Sequence, residues 1–362
     1  MNHILKSSYI VLLGAVFLTQ YSCNNATKSN ASESSDSTLL SEEIAIVKPE
    51  KPVPVFNNFI PNELGKVMVL EYHLIGEPED RWRRTPENLR KDFQTLYEQG
   101  FYPISVLDLA NGNIDVPAGK TPFAITYDDS SAGQFRFIEK NGKLEIDPDC
   151  AVGIMEEFKR KYADFPLTAT FYVLPAIKPN LRLFAQPEYK KEKLEWLINN
   201  GYEIGNHGWY HVPLNKLDDE GVQKHLAMFV KEIREFIPNY EVKSLALPLG
   251  MHAKTKKFES EGKFEETSYK HEAVFLVGSA TSVSPYSKNF DKLAIERVQA
   301  GDTPYGPEAF MKLQIKNNTR FISDGDPKTI SAPEKLKDQI KPGLEKKYQI
   351  NWINVPDSTK NI

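Results

Sequence analysis

The 362-residue sequence predicts an α/β fold built on parallel strands. Three observations carry that prediction. From Lys66 onward, short apolar runs alternate with amphipathic helical patterns, the signature of repeated βα units. One run, Pro122–Thr126, leads straight into the adjacent carboxylates Asp128 and Asp129. Another, Tyr202–Ile204, leads into a glycine-containing stretch with histidines at 207 and 211. Parallel α/β folds place their chemistry at the C-terminal ends of buried strands, and both runs end in groups able to perform it. Periodicity alone leaves open whether the sheet is closed or open.

At the N-terminus, Lys6 precedes an apolar run from Tyr9 to Leu18, too short to span a bilayer and suited to a signal peptide over residues 1–22. Gln20–Tyr21–Ser22–Cys23 resembles a bacterial lipobox, with Gln20 where leucine is usual, so Cys23 is the expected lipidation site. An ordinary secretory signal with an incidental cysteine is the alternative. Residues 23–60 are rich in Ser, Asn, Glu and Pro and read as a disordered tether. The protein is therefore expected to be exported and held by a lipid anchor, facing the periplasm or cell surface. Residues 61–310 form the main domain and residues 311–362 a C-terminal extension, read from Met311 as weak strands and charged coil.

Within the domain, Val67–Leu70 is a strand ending at Glu71–Tyr72–His73. Thr85–Pro86–Glu87 opens a helix whose inner face is Leu89, Phe93, Leu96 and Tyr97, stopped by Gly100. Tyr102–Val106 reads as the next strand. Asn141–Gly142 marks a hairpin turn inserted after the Asp128–Asp129 strand. Helical patterns over 148–162, 188–200 and 225–236 separate the strands Ala169–Val173, Tyr202–Ile204, Leu245–Leu247 and Ala273–Val277. The only cysteine besides Cys23 is Cys150, read as a buried small hydrophobe at a helix start. The formal net charge is −4 with no basic stripe, so nucleic acid is not an expected partner.

Two adjacent carboxylates at a strand end take different roles, because successive side chains point to opposite sides unless the strand stops between them. In a metal-dependent hydrolase one would be a ligand and the other a base. Histidines four apart can converge on one ion. A loop-initiating Asp-Asp-Ser turn is the bland alternative for the first motif.

Together the two motifs resemble the polysaccharide deacetylases with a NodB homology domain, carbohydrate esterase family 4. The family's Thr-Phe-Asp-Asp-Gly stands here as Thr126–Tyr127–Asp128–Asp129–Ser130, and its His-x-x-x-His as His207 to His211. The similarity covers roughly Lys66 to Asp302. It implies a deformed (β/α) barrel of about seven parallel strands, Asp128 as catalytic base, and Asp129, His207 and His211 as ligands of a divalent metal. Two histidines and a carboxylate suit zinc, with cobalt, nickel, manganese and iron as alternatives. Leu245–Gly250 resembles the third motif, which implies that the Leu249 N–H after Pro248 binds the oxyanion. Trp209, between the histidines, is a candidate for stacking on a sugar.

Two departures bear on activity. An arginine that tethers the base is usual near Ala246; Arg297 could reach in from another strand, although it reads first as a surface residue. The late Leu-x-His that supplies the general acid is absent, since no histidine follows His271. His73 and His252 are the candidate acids, and His271 lies at the wrong end of its strand. The substrate implied is an acetylated polysaccharide, through an amide or an ester that needs less help in expelling its leaving group. The alternative is a carbohydrate-binding surface lipoprotein of the same fold without turnover.

Overall fold

The computed structural model describes Phe56 and residues 58–178, 181–301 and 306–355. The apolar N-terminal run, Cys23 and most of the expected tether lie outside the described residues. Among the described residues, no helix is long and apolar enough to cross a membrane.

Eight strands make one sheet: β1 (Met68–Tyr72), β2 (Phe101–Pro103), β3 (Thr121–Asp128), β4 (Thr170–Val173), β5 (Glu203–Asn206), β6 (Ser244–Ala246), β7 (Ala273–Phe275) and β8 (Val298–Gln299). Their order is β7-β6-β5-β4-β3-β1-β8, with β2 paired to the first residues of β3. Every pairing is parallel. The ends of this path approach each other through the segment before β8: Ile295 bridges Phe275 of β7, and Val298 pairs with Leu70 of β1. The result is the expected deformed barrel of seven parallel strands.

Alternation along these strands separates two cores. Met68, Leu70 and Tyr72 of β1, with Phe123, Ile125 and Tyr127 of β3, face the helices. Val67, Val69, Ala124, Tyr172, Ala246 and Phe275 share a second core inside the barrel. By the same alternation Glu71, Thr126 and Asp128 point inward, and all three are buried.

The helices follow local signals. The Thr85 hydroxyl accepts the Asn88 N–H (3.2 Å) and Pro86 begins α1 (Pro86–Glu98), a cap that contributes about 1 kcal/mol. The expected strand Tyr102–Val106 ends at Pro103, because Ser105 caps a short helix, α2 (Val106–Asn111), through the Asp108 N–H (3.0 Å). Buried Cys150 caps α3 (Ala151–Lys161) in the same way. Next come α4 (Lys190–Asn199) and α5 (Asp219–Phe236); the latter starts ahead of the expected His225 because Asp218 caps it. The Asn141–Gly142 turn joins Phe137–Lys140 to Lys143–Ile146 as an antiparallel hairpin.

The extension is more ordered than its composition indicated. Met311 lies within the helix Pro307–Lys316, and Thr329–Pro333 pairs in parallel with Gln349–Ile353. Phe321, Ile330, Ala332 and Tyr348 join the inner core, and Phe321 and Ile322 pair with the chain ahead of β1. This segment thus plugs the N-terminal end of the barrel and leaves the opposite end for chemistry.

Candidate active site

Asp128 is the last residue of β3, and Asp129 turns the chain with φ 73°. Because the strand stops between them, the carboxylates diverge. Asp128 stays inside the barrel, whereas Asp129 reaches its rim, half-buried. Beyond β5, Gly208 (φ 81°) lets the chain bend sharply, and a Cβ there would lie 2.3 Å from Nε2 of buried His225. That bend aims His207 and His211 back at Asp129.

The three expected ligands are brought together. Asp129 Oδ1 lies 3.4 Å from His207 Nε2 and 3.5 Å from His211 Nε2, and the three donor atoms fall within 4.8 Å of one another. With donor–ion distances of ~2.1 Å, tetrahedral ligands stand ~3.4 Å apart, so the spacing fits a small divalent ion. His207 Nδ1–H donates to the Ala246 carbonyl (2.9 Å), which leaves Nε2 with its lone pair toward Asp129. Nε2 is buried and has no hydrogen-bond partner among the described residues. An orphaned nitrogen facing a carboxylate and a second imidazole is what a metal site needs and a packed core avoids. At His211, burial and the neighbouring His207 ring lower the pKa to about 4, so its imidazole is neutral at pH 7.

Arg297 is not a surface residue. It is fully buried, and Nη1 and Nη2 donate to the two oxygens of Asp128, each at 2.8 Å. Nη1 also donates to Thr126 Oγ1 (3.0 Å), Nη2 to Glu71 Oε1 (2.9 Å) and Nε to the Leu276 carbonyl (2.6 Å). The arginine absent near Ala246 is thereby supplied from just before β8. Burial alone would raise the Asp128 pKa; Arg297 and His207 outweigh it and hold the carboxyl below the usual range. Glu71 shares the same guanidinium through one oxygen only, and burial prevails there and raises its pKa.

His73 continues β1 one residue past the Tyr72–Tyr127 pair, which sets it beside Asp128. Glu71, His73 and Asp128 each offer an atom within 4.8 Å of the others, and His73 Nε2 is 3.9 Å from Glu71 Oε1. Trp82 packs edge-on against the His73 ring, with centroids 4.8 Å apart. His252 is engaged elsewhere: its Nδ1 meets the carboxylate of buried Glu259 at 2.9 and 3.1 Å. His271 is buried between Asn206 and the Glu259 carbonyl.

Pro248–Gly250 forms a tight turn in which Leu249 has φ 55° and an exposed side chain. The turn uses the N–H groups of Gly250 and Met251 and not that of Leu249. Trp209 is half-buried, with its indole N–H donated to Glu232 Oε2 (2.8 Å), while neighbouring Tyr210 is exposed. The sequence reading missed Glu71 and undervalued Arg297. Glu71 stands as a lone charge after the apolar run Val67–Leu70, at a position that alternation turns inward, whereas Arg297 follows Glu296 and carries no such signal.

The polysaccharide deacetylase family model matches residues 116–261. No curated protein matches the chain. Similar solved structures include a Streptococcus pyogenes deacetylase, PplD, in complex with acetate, at 15% identity and TM-score 0.49, covering 68% of this chain and 97% of that one. A polysaccharide deacetylase from Bacillus cereus is 17% identical with TM-score 0.49, covering 68% of each chain. IcaB from Ammonifex degensii is 14% identical with TM-score 0.47, covering 68% of this chain and 96% of that one. Both motifs lie within the matched residues 116–261 and converge at one end of the barrel, so this part of the chain is a divergent match to the polysaccharide deacetylase family.

Proposed function

We propose that the protein is a metal-dependent hydrolase that removes acetyl groups from an N-acetylated or O-acetylated polysaccharide of the cell envelope or extracellular space. The observation that carries this reading is the orphaned His207 Nε2 facing Asp129, with His211 beside it and Asp128 held by Arg297. Asp129, His207 and His211 would hold the ion, zinc by donor set, with cobalt, nickel, manganese or iron as competitors. When bound, such an ion polarises the acetyl carbonyl and makes a water molecule more acidic.

The chain's own residues supply the rest. Asp128, ionised and fixed by two hydrogen bonds from Arg297, takes a proton from the attacking water. The Leu249 N–H, unused in its turn, is the donor for the oxyanion. His73 is better placed than His252 to protonate the leaving amine or alcohol, because it stands next to Asp128 while His252 is bound to Glu259. Acetate and the free amine or hydroxyl are the products. The signal-like N-terminus and Cys23 support an exported, lipid-anchored enzyme.

The test is metal content and acetate release by protein purified without chelator or histidine tag. Near-stoichiometric metal, lost in His207→Ala and Asp129→Ala, with turnover abolished in Asp128→Asn, is the expected result. A folded wild type that binds no divalent transition metal would overturn the hydrolase reading and favour a glycan-binding role.

A further inference from the structure

Leu183, Phe184, Ala185 and Gln186 are four consecutive non-glycine residues with positive φ, at 48°, 67°, 52° and 49°. Each is sterically disfavoured for an L-residue, so a run of four persists only where its surroundings hold it. Leu183 and Phe184 are fully buried, and the Gln186 side chain pairs with both the N–H and the carbonyl of Phe137 at the base of the hairpin (2.9 and 2.8 Å). The carbonyls of the run face Lys193 in the first turns of α4. Lys193 is completely buried, and its Nζ donates to the Phe184 carbonyl at 2.9 Å and reaches the Ala185 carbonyl at 3.5 Å. It makes no salt bridge among the described residues. Burying an ammonium against two carbonyls, with the Phe135 and Phe137 rings each 5.9 Å away, is costly, and burial lowers its pKa to about 8.

The run is attached to the residue that follows Asp129. The Phe184 N–H donates to the Ser130 carbonyl (2.8 Å), Ser130 Oγ donates to the Leu181 carbonyl (2.6 Å), and the Leu174 N–H donates to Ser130 Oγ (3.0 Å). Ser130 is fully buried and itself has φ 48°, a conformation that glycine adopts freely and serine does not. Asp129, immediately before it, also has positive φ (73°), so the two left-handed residues together turn the chain at the point where Oδ1 meets both histidines.

We propose that Lys193 is a positioning residue for Asp129: its ammonium pins the left-handed run, which in turn clamps Ser130 in the conformation that presents Asp129 to His207 and His211. The proposal rests on the reading of those three residues as a metal site. It predicts that the neutral, similarly shaped Lys193→Met releases the clamp and weakens metal binding without removing any ligand. Ser130→Gly, which reaches the same backbone angle without a clamp, makes affinity far less sensitive to Lys193.

The experiment is zinc affinity of the full chain, measured by competition with a chromophoric chelator, for wild type, Asp129→Ala, Lys193→Met, Ser130→Gly and the Lys193→Met/Ser130→Gly pair. Amide exchange at Phe184 and Leu174 is followed in parallel. The expected result is a roughly 10- to 100-fold loss in Lys193→Met with faster exchange at both amides, and a smaller loss when Lys193→Met is added to Ser130→Gly. Equal zinc affinity in Lys193→Met and wild type, with Asp129→Ala not binding, would overturn the proposal alone. No zinc binding by wild type would instead remove the metal reading beneath it. If Lys193→Met does not fold, Ala185→Gly is added to relieve the run. A double variant that folds and binds zinc weakly supports the clamp; one that folds with wild-type affinity, or still fails to fold, assigns Lys193 to the fold alone.

Discussion

Two arginines in this protein, Arg297 fully buried and Arg84 half-buried, each hold two carboxylates, and β1 runs between them. Glu71 turns into the barrel to meet Arg297, while Tyr72, one residue on, turns outward and donates to Asp92 Oδ2 (3.0 Å). Asp92 is bound by Arg84 through both oxygens (2.9 and 2.6 Å), and Arg84 also meets Glu79 (2.6 Å). The chemistry is the same in each: a guanidinium fork on an aspartate, with a second acid alongside. The outer network closes on itself, since Glu79 also accepts from the Thr85 N–H and the Asn88 amide. The inner one stays open, with Asp128 Oδ2 facing the unpartnered His207 Nε2 at 3.7 Å. A buried ion pair by itself signals neither stability nor function; what separates these two is the lone pair left over.

The sharpest way to break the comparison is to remove each arginine. Arg297→Met and Arg84→Met should each cost about 3–5 kcal/mol in denaturant unfolding, because each strands a buried aspartate. Only Arg297→Met should also cut acetate release, by at least ~100-fold, at a temperature where both variants are folded. The folded-state Asp128 carboxyl is held low, so its contribution to stability is present above the unfolded value, ~3.9, and lost as pH falls through the folded value. Without Arg297 the folded value climbs, and the acid limb of the rate profile should move to higher pH.

His73→Gln should lower turnover of an N-acetyl substrate by ~100-fold or more and of an O-acetyl ester by less, while His252→Gln stays within a few-fold of wild type. Equal losses on amide and ester would deny His73 the role of acid. Glu71→Gln should change stability by only ~1 kcal/mol in thermal unfolding, since the amide oxygen can still accept from Arg297 and burial disfavours the charge it replaces. Tyr72→Phe gives the smallest effect, about 1 kcal/mol of stability with unchanged kcat, because it touches only the closed network.

What the sequence made legible follows the same division. The α/β architecture, the helix opened by Thr85–Pro86, the hairpin at Asn141–Gly142 and the convergence of Asp129, His207 and His211 could all be read, because each depends on local periodicity, turn chemistry or a short motif. Arg297 could not be ranked: it precedes a strand of two residues, too short to show a period, and its partners lie far away in the chain. The extension was misjudged because its apolar residues are spaced singly, and only the barrel end they plug brings Phe321, Ile330 and Tyr348 together. The positive φ of Leu249 has no sequence signal, since leucine is an unusual choice for that conformation.

The segment that carries Arg297 is also the one that joins the two ends of the barrel, and this makes the order of synthesis matter. While the first seven strands are present and residues 292–299 are not, Asp128 and Glu71 share an interior with no cation between them. That segment brings the guanidinium that binds both acids and joins β7 to β1, so a chain ending before it keeps Asp129, His207 and His211 but leaves Asp128 without its tether.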